Sequence, residues 1–560
     1  MQKYKSSILI VSMFVFLSIL VVVPFYSKGQ VIAQNWDFSF HLTRIEEITR
    51  NLKQGHLGIP EIATHTFGSY GYPVNLFYPA IMVFPMAILA ALFSKIYIAY
   101  LAFMFLVQFL IFASMYYVSN KMLKNQIAAF IAAVVYGLSQ YKFYDMFYRR
   151  DIGETLCMIF LPIVLYGLYL IFTDNYKKWY VLSVGLAGIL LSNIPGMLVT
   201  LFFVISFLPL LLIIRSDTRQ KIWRFFLAGM LTLGLTAFFI IPFIIAKLNI
   251  KDMAIQTSRS LYPWSVPLDR MFLSVTPIKE LPYSAAGLGI ISLIILITSI
   301  CFWKKLNKFW KFILFDTIIF VFVSSNLFAW QLFEYTSFAQ IFQFPFRLLL
   351  IPTLLIALLA GKCFLLVRSS VNTKLLVATT IAFLSITTLA QSNFIVNDPE
   401  QADALKVSRS EFDTIETGSM STDYLPKGSV KISNELSSHS FNKLNRDKKL
   451  ELKKTSYDYN RIVYHVDSKA NYTDVSIPNV YYTGIHVYVN QNQSDFSIGK
   501  DGEPVVNLKK GNNQIVYEYQ KTSAQKISIG ISVVSWLTLL SYCGYKKWWK
   551  KDAREGSRGK

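Results

Sequence analysis

The sequence predicts an α-helical polytopic membrane protein with a C-terminal β-rich domain. Of its 560 residues 54% are hydrophobic, and the mean hydropathy of +0.42 is above that of ordinary soluble domains. Long apolar runs alternate with short loops rich in Lys and Arg, the pattern of membrane helices. After residue 394 the chain becomes polar and shows the short alternating runs of strands.

The net charge and the positions of the cysteines argue against several other classes of protein. The net charge of +22 comes largely from Lys and Arg beside apolar runs, so membrane orientation explains it better than nucleic-acid binding. We expect no nucleic-acid partner. Cys157, Cys301, Cys363 and Cys543 lie in or beside apolar segments, which predicts neither a disulfide framework nor a cysteine-based zinc site.

The first element is an apolar run from about residue 8 to residue 25, preceded by Lys3 and Lys5. This pattern predicts a spanning helix with a cytoplasmic N-terminus. A cleaved signal peptide is the alternative, with Val31 and Ala33 as its small-residue site. With the helix retained, the chain lies outside from residue 26 onward.

The segment that follows, Trp36–Pro79, carries the most polar chemistry. Since helical residues are about 100° apart, Asp37, His41 and Arg44 fall within roughly 60° of one another on one face, above an apolar strip. Such a helix can lie on a membrane surface and present these groups to a neighbouring molecule. An amphipathic connecting helix with solvated charges is the alternative.

The topology depends on residues 77–94, which are apolar and contain Pro79 and Pro85. The basic loops share one side of the membrane only if this segment enters and returns without crossing. We therefore predict about twelve crossings, both termini in the cytoplasm and a first outer loop over residues 27–95. If the segment crosses, the N-terminus is outside and Asp37 is cytoplasmic.

The other crossings are each near the roughly 20 residues that span a bilayer. They are predicted near residues 96–118, 126–141, 155–173, 179–193, 196–214, 222–247, 285–302, 309–330, 347–366, 375–394 and 527–545.

A second polar loop, between the third and fourth crossings, faces the same side as Asp37. It contains Arg149, Arg150 and Asp151, with Glu154 three residues further on. Asp151 and Glu154 match a capping box that begins the next helix. A cap does not require two adjacent arginines, however, and charges near a bilayer are costly unless they are paired or used.

Two more features face outward in the predicted topology. Asn193 followed by Pro195 predicts a helix N-cap. Arg347 is placed at the outer end of its helix, where it either reaches toward lipid headgroups or binds a lipid phosphate.

Three domains result from these patterns. Residues 1–394 form the membrane module, and residues 395–526, with alternating runs such as 461–466 and 514–519, form an extracytoplasmic β-rich domain, predicted as a sandwich. Residues 527–560 form the last crossing and a basic tail suited to anionic membrane lipids.

The chain resembles the GT-C superfamily of integral-membrane glycosyltransferases. It is most similar to the bacterial YfhO-type proteins and to a membrane family labelled as 6-pyruvoyl-tetrahydropterin-synthase-related, a label from which we infer no pterin chemistry. The resemblance covers nearly the whole chain. Its motifs are Asp37-x-x-x-His41-x-x-Arg44, Gly71-Tyr72-Pro73 to Tyr78-Pro79, Tyr148-Arg149 with Gly153-Glu154, Pro345-Phe346-Arg347, Tyr424-Leu425-Pro426 and Tyr481-Tyr482-Thr483-Gly484.

This resemblance implies transfer of a sugar from a polyprenyl-phosphate donor to a cell-envelope polymer, such as teichoic acid, or to a lipid, at the outer surface of the cell membrane. Asp37 would be the catalytic base or a metal-facing acid, and Asp151 or Glu154 the second acidic element. The candidates for binding substrate or phosphate are His41, Arg44, Arg149, Arg150 and Arg347.

The chain departs from the family pattern at two places. The first motif has one acid, Asp37, where some relatives have two, so a divalent cation, Mg²⁺ or Mn²⁺, is left open. Asn193 stands where many relatives have His, which weakens a role for that turn.

Two other classes of function stay open. A transporter or flippase of lipid-linked precursors fits the number of helices, but few ionisable residues lie in the middle of the crossings. A noncatalytic assembly protein could use the β-rich domain to bind wall polymer.

Overall fold

A computed structural model describes residues 2–23, 26–27, 30–32, 37–93, 96–214, 216–250, 252–254, 260–273, 286–367, 378–379, 381–382, 386, 406–408 and 421–555. Helices dominate up to residue 367, and strands dominate between residues 450 and 519.

The helices of the first part are α1 (Gln2–Val22), α2 (Phe38–Lys53), α3 (Val74–Phe77), α4 (Phe84–Phe93), α5 (Ile96–Leu123), α6 (Gln126–Gly137), α7 (Gln140–Phe143), α8 (Ile152–Phe172), α9 (Tyr180–Leu190), α10 (Ile194–Ser206), α11 (Leu210–Ile213), α12 (Thr218–Asn249), α13 (Leu268–Leu273), α14 (Gly289–Cys301), α15 (Lys308–Ser324), α16 (Ser337–Phe342) and α17 (Leu350–Val367). Three short helices, Lys427–Lys431, Ser433–Ser437 and Phe441–Leu444, precede the strands, and a C-terminal helix covers Ser523–Glu555.

Among the described residues, 6 helical stretches are long and apolar enough to cross a membrane. They are Ile96–Leu123, Ile152–Phe172, Ile194–Ile213, Thr218–Asn249, Pro345–Val367 and Ser523–Tyr545, and shorter apolar helices cover Ser7–Val22, Phe84–Phe93, Gln126–Gly137 and Gly289–Cys301. The predicted class of membrane protein therefore fits. The number of crossings and their direction stay predictions, and the crossing expected at residues 375–394 lies largely outside the described residues.

Residues 77–94 do not form one long helix. α3 ends at Phe77, an irregular stretch that contains Pro79 and a turn at residues 81–83 follow, and α4 has 10 residues. At 1.5 Å per residue, α4 is about 15 Å long, half of the hydrocarbon thickness. This geometry agrees with a segment that turns back, while its topology stays a prediction.

Two predicted helix starts are confirmed by their cap bonds. The Glu154 N–H donates to Asp151 Oδ1 at 2.9 Å at the start of α8. The Gly196 N–H donates to Asn193 Oδ1 at 2.6 Å at the start of α10. Each cap satisfies a backbone donor that the first helical turn leaves without an intrahelical acceptor.

α2 differs from the alternative of a solvated connecting helix, because it is buried along most of its length. Its apolar face packs in the main helical core. On another side Glu47 accepts hydrogen bonds from the Thr64 N–H at 3.1 Å, the His65 N–H at 2.9 Å and Thr66 Oγ1 at 3.0 Å. α2 is therefore not a solvated connector, since the chain after Pro60 folds over its polar side. Its position at a membrane surface stays a prediction.

The C-terminal region contains two antiparallel sheets. Its strands are β4 (Leu450–Asp458), β5 (Arg461–Ser468), β6 (Tyr472–Ser476), β7 (Ile485–Val489), β8 (Asn492–Gln493), β9 (Ser497–Ile498), β10 (Pro504–Leu508) and β11 (Gly511–Tyr519), and a separate small sheet joins β1 (Tyr26–Ser27), β2 (Gln30–Ile32) and β3 (Lys406–Ser408). The orders are β4-β5-β11-β7-β8 and β6-β10-β9. Burial alternates along β5, as the period of two predicts.

The two larger sheets share one apolar core with the chain between α2 and α4. Ile462 and Val506 represent the two sheets, and Phe67 and Tyr72 belong to the earlier segment. The predicted β-rich region is therefore present, and both of its sheets contribute to one core, while the sandwich arrangement stays a prediction. It is not packed independently of the first loop, and the predicted domain boundaries stay predictions.

This shared core lies at one end of the helix bundle. Near the end of α12, Asn249 Nδ2 donates to Thr483 Oγ1 of the β region at 2.8 Å. At the start of the C-terminal helix, Gln525 Nε2 donates to Glu61 Oε1 of the first loop at 3.1 Å. The first loop and the β region therefore occupy the same end of the molecule.

Candidate functional site

An irregular turn before α8 positions the site. Residues Tyr144–Arg149 form a π-helical turn, and Arg150 then takes a positive φ of 55°. π-Helical turns often occur at functional sites, and a left-handed non-glycine residue costs on the order of 1 kcal/mol. This turn brings the guanidinium of Arg149 next to the carboxylate of the cap residue Asp151.

The guanidinium of Arg149 contacts four carboxylates and is fully buried. Its Nη1 donates to Asp145 Oδ1 at 2.8 Å and to Glu154 Oε2 at 2.7 Å. Its Nη2 donates to Asp37 Oδ2 at 3.1 Å and to Asp151 Oδ2 at 3.0 Å. The three acids singled out in the sequence, Asp37, Asp151 and Glu154, therefore meet on one arginine.

Two further residues of the predicted set, Arg347 and His41, join this cluster. Arg347 Nε donates to Glu154 Oε2 at 3.2 Å, and its Nη2 is 4.0 Å from Asp151 Oδ2. Arg347 Nη1 also donates to Gln343 Oε1 at 2.6 Å. His41 Nε2 is 3.4 Å from Asp151 Oδ1. Two arginines, Arg149 and Arg347, thus contact the four acids of the cluster, and His41 contacts Asp151.

The buried carboxylates titrate in opposite directions. Burial, reinforced by the charge of Glu154, raises the pKa of Asp145 well above its ordinary value. Burial alone would also raise the pKa of Asp151, but its hydrogen bond with His41 and the charge of Arg149 together hold that pKa below its ordinary value. Asp145 therefore retains a proton more readily than Asp151, which is ionised.

Asp37 differs from the other carboxylates because solvent reaches it. Its side chain is 40% exposed, whereas the side chains of Asp145 and Glu154 are both 0% exposed. Asp37 precedes the first residue of α2 and makes no side-chain cap bond. A molecule that approaches the cluster can therefore contact Asp37 without displacing a buried group.

Arg44 lies apart from the carboxylates. Its Nη2 donates to the Pro79 carbonyl oxygen at 2.9 Å, and its guanidinium lies 4.5 Å from the centre of the Tyr78 ring. Its Nε and Nη1 are buried and have no hydrogen-bond partner in the described part of the chain. Burial lowers the pKa of Arg44 to about 10.

Arg150 also faces away from the carboxylates that hold Arg149. Its Nε donates to the Phe147 carbonyl oxygen at 3.2 Å, and its guanidinium lies 5.5 Å from the centre of the Phe38 ring. Burial lowers its pKa to about 10. Of the five predicted substrate-binding cations, His41, Arg149 and Arg347 contact the acids, while Arg44 and Arg150 contact aromatic rings and backbone carbonyls.

Sequence reasoning missed some members of the site. Asp145 was not singled out, although its spacing of four residues from Arg149 is that of a helical ion pair. The Tyr141 hydroxyl donates to Glu154 Oε1 at 2.5 Å. Asn193, whose turn was given little weight, donates from Nδ2 to the Tyr78 hydroxyl at 2.7 Å and lies 3.5 Å from Asp151 Oδ1.

Three of the buried acids lie close enough together to be considered as metal ligands. Asp145, Asp151 and Glu154 each offer an oxygen within 4.8 Å of the others. Arg149 already donates to all three at 2.7–3.0 Å, and a Mg²⁺ ion would need about six oxygen ligands at roughly 2.1 Å in that space. The arrangement therefore fits a guanidinium and does not fit a resident divalent ion.

Spanning-length apolar helices with a buried ionic cluster near one end define a polytopic membrane protein. The model of the family described as "Bacterial membrane protein YfhO" matches residues 63–405, more than half of the chain. The protein belongs to this family, which confirms the resemblance to YfhO-type proteins. The match includes Arg149, Asp151, Glu154 and Arg347 but begins after α2.

A relative with a similar sequence does not indicate what chemistry the family performs. It is an "Uncharacterized protein" from Lactococcus lactis subsp. cremoris (strain MG1363), which is 24% identical over 249 residues. The similar segment covers 43% of this chain and 40% of the relative. The chain therefore matches less than half of that protein.

Proposed function

We propose that this protein is a membrane glycosyltransferase that moves a sugar from a polyprenyl-phosphate donor to a cell-envelope polymer or lipid. The observation that carries this proposal is the environment of Asp37. Its carboxylate is 40% exposed, yet it is held at 3.1 Å by an arginine that is itself 0% exposed. An accessible carboxylate in a fixed orientation is what a general base requires.

The proposed base has one oxygen available. Asp37 Oδ2 accepts from Arg149, whereas Oδ1 accepts no hydrogen bond in the part of the chain that the structure describes. An acceptor hydroxyl could donate its proton to Oδ1 while its oxygen attacks the anomeric carbon of the donor sugar. The bond between that carbon and the phosphate oxygen then breaks, and the phosphate leaves with the electron pair.

The departing phosphate needs a cation that is not already neutralised. Arg149 contacts four carboxylates and Arg347 contacts two, whereas Arg44 contacts none of the described acids within 4 Å and has two nitrogens without acceptors. Arg44 is therefore the favoured phosphate ligand. Because Tyr78 covers its guanidinium, access depends on movement of that ring.

The placement of the site supports a reaction at the outer surface. α8 begins beside the acidic cluster. The first loop also contacts the C-terminal region, because the Tyr72 hydroxyl donates to the Asp423 carbonyl oxygen at 2.9 Å. If the β region is extracytoplasmic, as the basic loops predict, the site is extracytoplasmic too. The sugar, the acceptor and the lipid partners belong to the proposal.

The test is the variant Asp37→Asn in the full-length protein. We expect it to abolish sugar transfer in proteoliposomes that contain a polyprenyl-phosphate sugar, and to give the envelope glycans of a deletion strain by mass spectrometry. The matched control is Glu46→Gln on the same helix, since Glu46 pairs with Arg50 near the surface. Both variants are first compared with the unmodified protein for membrane abundance and unfolding temperature.

Three outcomes would overturn the proposal. Full transfer by Asp37→Asn would remove this residue from the mechanism. Movement of the lipid across the bilayer without transfer would identify a transporter. Envelope glycans that do not change after deletion would favour a noncatalytic assembly role.

A further inference from the structure

A cavity separate from the acidic cluster lies between the first loop, α12 and the start of the C-terminal helix. Its volume is about 320 Å³. Pro79 lines it, and the Pro79 carbonyl accepts from Arg44, so the backbone at Pro79 divides the cavity from the site of Arg44. None of the carboxylates on Arg149 lines this cavity.

The polar lining of the cavity is gathered around Glu61. The Glu61 side chain is 9% exposed. Its Oε1 accepts from Lys521 Nζ at 3.0 Å and from Gln525 Nε2 at 3.1 Å, and its Oε2 accepts from Asn460 Nδ2 at 2.6 Å. These bonds fix a carboxylate, an ammonium and an amide at one place in the wall.

Asn75 adds an acceptor that the protein leaves unsatisfied. Its Nδ2 donates to the carbonyl oxygen of Pro60, the neighbour of Glu61, at 2.7 Å. Its Oδ1 is buried and has no hydrogen-bond partner among the described residues. A buried polar atom without a partner costs about 1–3 kcal/mol. Because Asn75 lines the cavity, a ligand that donates a hydrogen bond can satisfy Oδ1 once this side chain turns toward the cavity.

The rest of the lining is apolar and adjoins the membrane helices. Phe84, Phe238 and Phe239 contribute aromatic walls. Ile81 and Ile529 line the cavity and are exposed on the outside of the protein. An apolar chain can therefore leave the cavity along two candidate membrane-spanning helices, α12 and the C-terminal helix.

We propose that this cavity binds a membrane lipid whose headgroup carries hydroxyl groups. Asn75 Oδ1 and Glu61 accept hydrogen bonds from the hydroxyls, Lys521 donates to a headgroup oxygen, and the acyl chains lie against Phe84 and Phe239. A headgroup without a hydroxyl donor leaves Asn75 unsatisfied. The site does not depend on the sugar-transfer proposal, because none of its contacts involves the acidic cluster.

The test uses the full-length protein in nanodiscs of phosphatidylcholine, alone or doped with a monoglucosyl diacylglycerol or with phosphatidylglycerol. Native mass spectrometry after transfer to detergent reports the lipid that stays bound, and the unfolding temperature reports stabilisation. We expect both hydroxyl-bearing lipids to be retained over phosphatidylcholine. The two lipids differ in phosphate, so their ratio distinguishes a glycolipid from a phospholipid source.

Two variants and one control test whether the lipid binds in this cavity. Ile81→Trp narrows the cavity without removing a hydrogen bond and should reduce retention, while Asn75→Leu should weaken it about tenfold, the effect of one lost hydrogen bond. Leu248→Trp adds the same ring at a position on α12 that is 75% exposed and outside the cavity, and should change nothing.

Equal retention of phosphatidylcholine, or full retention in Ile81→Trp, would mean an annular lipid only and would overturn the proposal. If Asn75→Leu does not fold, Ile81→Trp still decides the result. Sugar transfer is not measured, so failure here is distinguishable from failure of the proposed enzyme activity.

Discussion

Arg149 Nη2 lies 3.1 Å from Asp37 Oδ2, although the two residues are 112 positions apart in the chain. This contact joins the beginning of α2 to the turn before α8. It also links the one accessible carboxylate of the described cluster to the buried ones. The integrity of the site and the packing of α2 therefore depend on the same guanidinium.

Replacing Arg149 should destabilise the protein strongly. Arg149→Met leaves Asp145, Asp151 and Glu154 buried without their main cation, which typically costs about 3–5 kcal/mol. Thermal unfolding of the purified protein in detergent measures the loss. Arg50→Met serves as the control, because Arg50 is 47% exposed and pairs only with Glu46 among the acids, so a change below about 1 kcal/mol is expected. Equal effects in the two variants would contradict the structure.

The pKa of Asp145 predicts a pH effect. Because its folded-state pKa is raised, the folded protein binds more protons than the unfolded chain above the ordinary Asp value of about 3.9. This group therefore makes stability fall as pH rises from that value toward its folded-state pKa. Asp145→Asn should remove that contribution, so its unfolding temperature should depend less on pH over about pH 5–8.

Asp151→Asn provides the contrast to Asp145→Asn. The pKa of Asp151 is lowered, so its contribution to stability is present above about pH 3.9 and is lost as pH falls. Its replacement should reduce stability across the neutral range, since the ionised partner of His41 and Arg149 is removed. Identical pH profiles for the two variants would show that the acids do not differ in this way.

A substitution of Arg44 should affect binding of the donor substrate much more than the stability of the protein. Arg44→Met loses one hydrogen bond to Pro79 but also removes a buried cation that no described acid balances, so the free energy of unfolding should change by less than about 1.5 kcal/mol. If Arg44 holds the donor phosphate, KM for the donor should rise at least about tenfold. Lys53→Met, at an exposed position of α2, is the control. An unchanged KM would exclude this role.

Gly71 tests the junction between the first loop and the β region. Its φ is 85°, and an added Cβ would lie 2.7 Å from the Tyr517 ring. Gly71→Ala should therefore cost about 1 kcal/mol for the backbone and about 1–3 kcal/mol more for the clash. Gly511→Ala, with φ of 95° and no atom within 4 Å of its added Cβ, isolates the backbone term. Unfolding temperatures that match would refute the close contact.

The sequence was informative where a regular period controls the structure. The helical spacing placed Asp37 and His41 on one face, and in the structure both contact partners from the turn before α8. The cap residues Asp151 and Asn193 were predicted correctly because capping is local. The basic loops predicted a common side for Asp37 and Asp151, and the two do meet on Arg149.

The remainder depends on contacts that no local pattern encodes. The spacing of four residues relates Asp145 to Arg149, but it does not predict that Glu154, beyond the π-helical turn, shares the same guanidinium. The burial of α2 follows from folding of residues 64–66 over Glu47. Arg44 was grouped with the acids by its position on the helix, but its long side chain extends to Pro79 instead.

The bonds from the Glu61 and Ile62 N–H groups to Asn460 Oδ1 span 399 and 398 positions of the chain. At about 5–20 residues per second, a ribosome needs roughly 20–80 seconds to translate the intervening sequence. Throughout that interval the aromatic segment around Tyr72 has no partner from the strands. During biogenesis the apolar side chains of this segment therefore stay exposed until the strands are synthesised. In that interval a membrane chaperone or the bilayer interface must cover them.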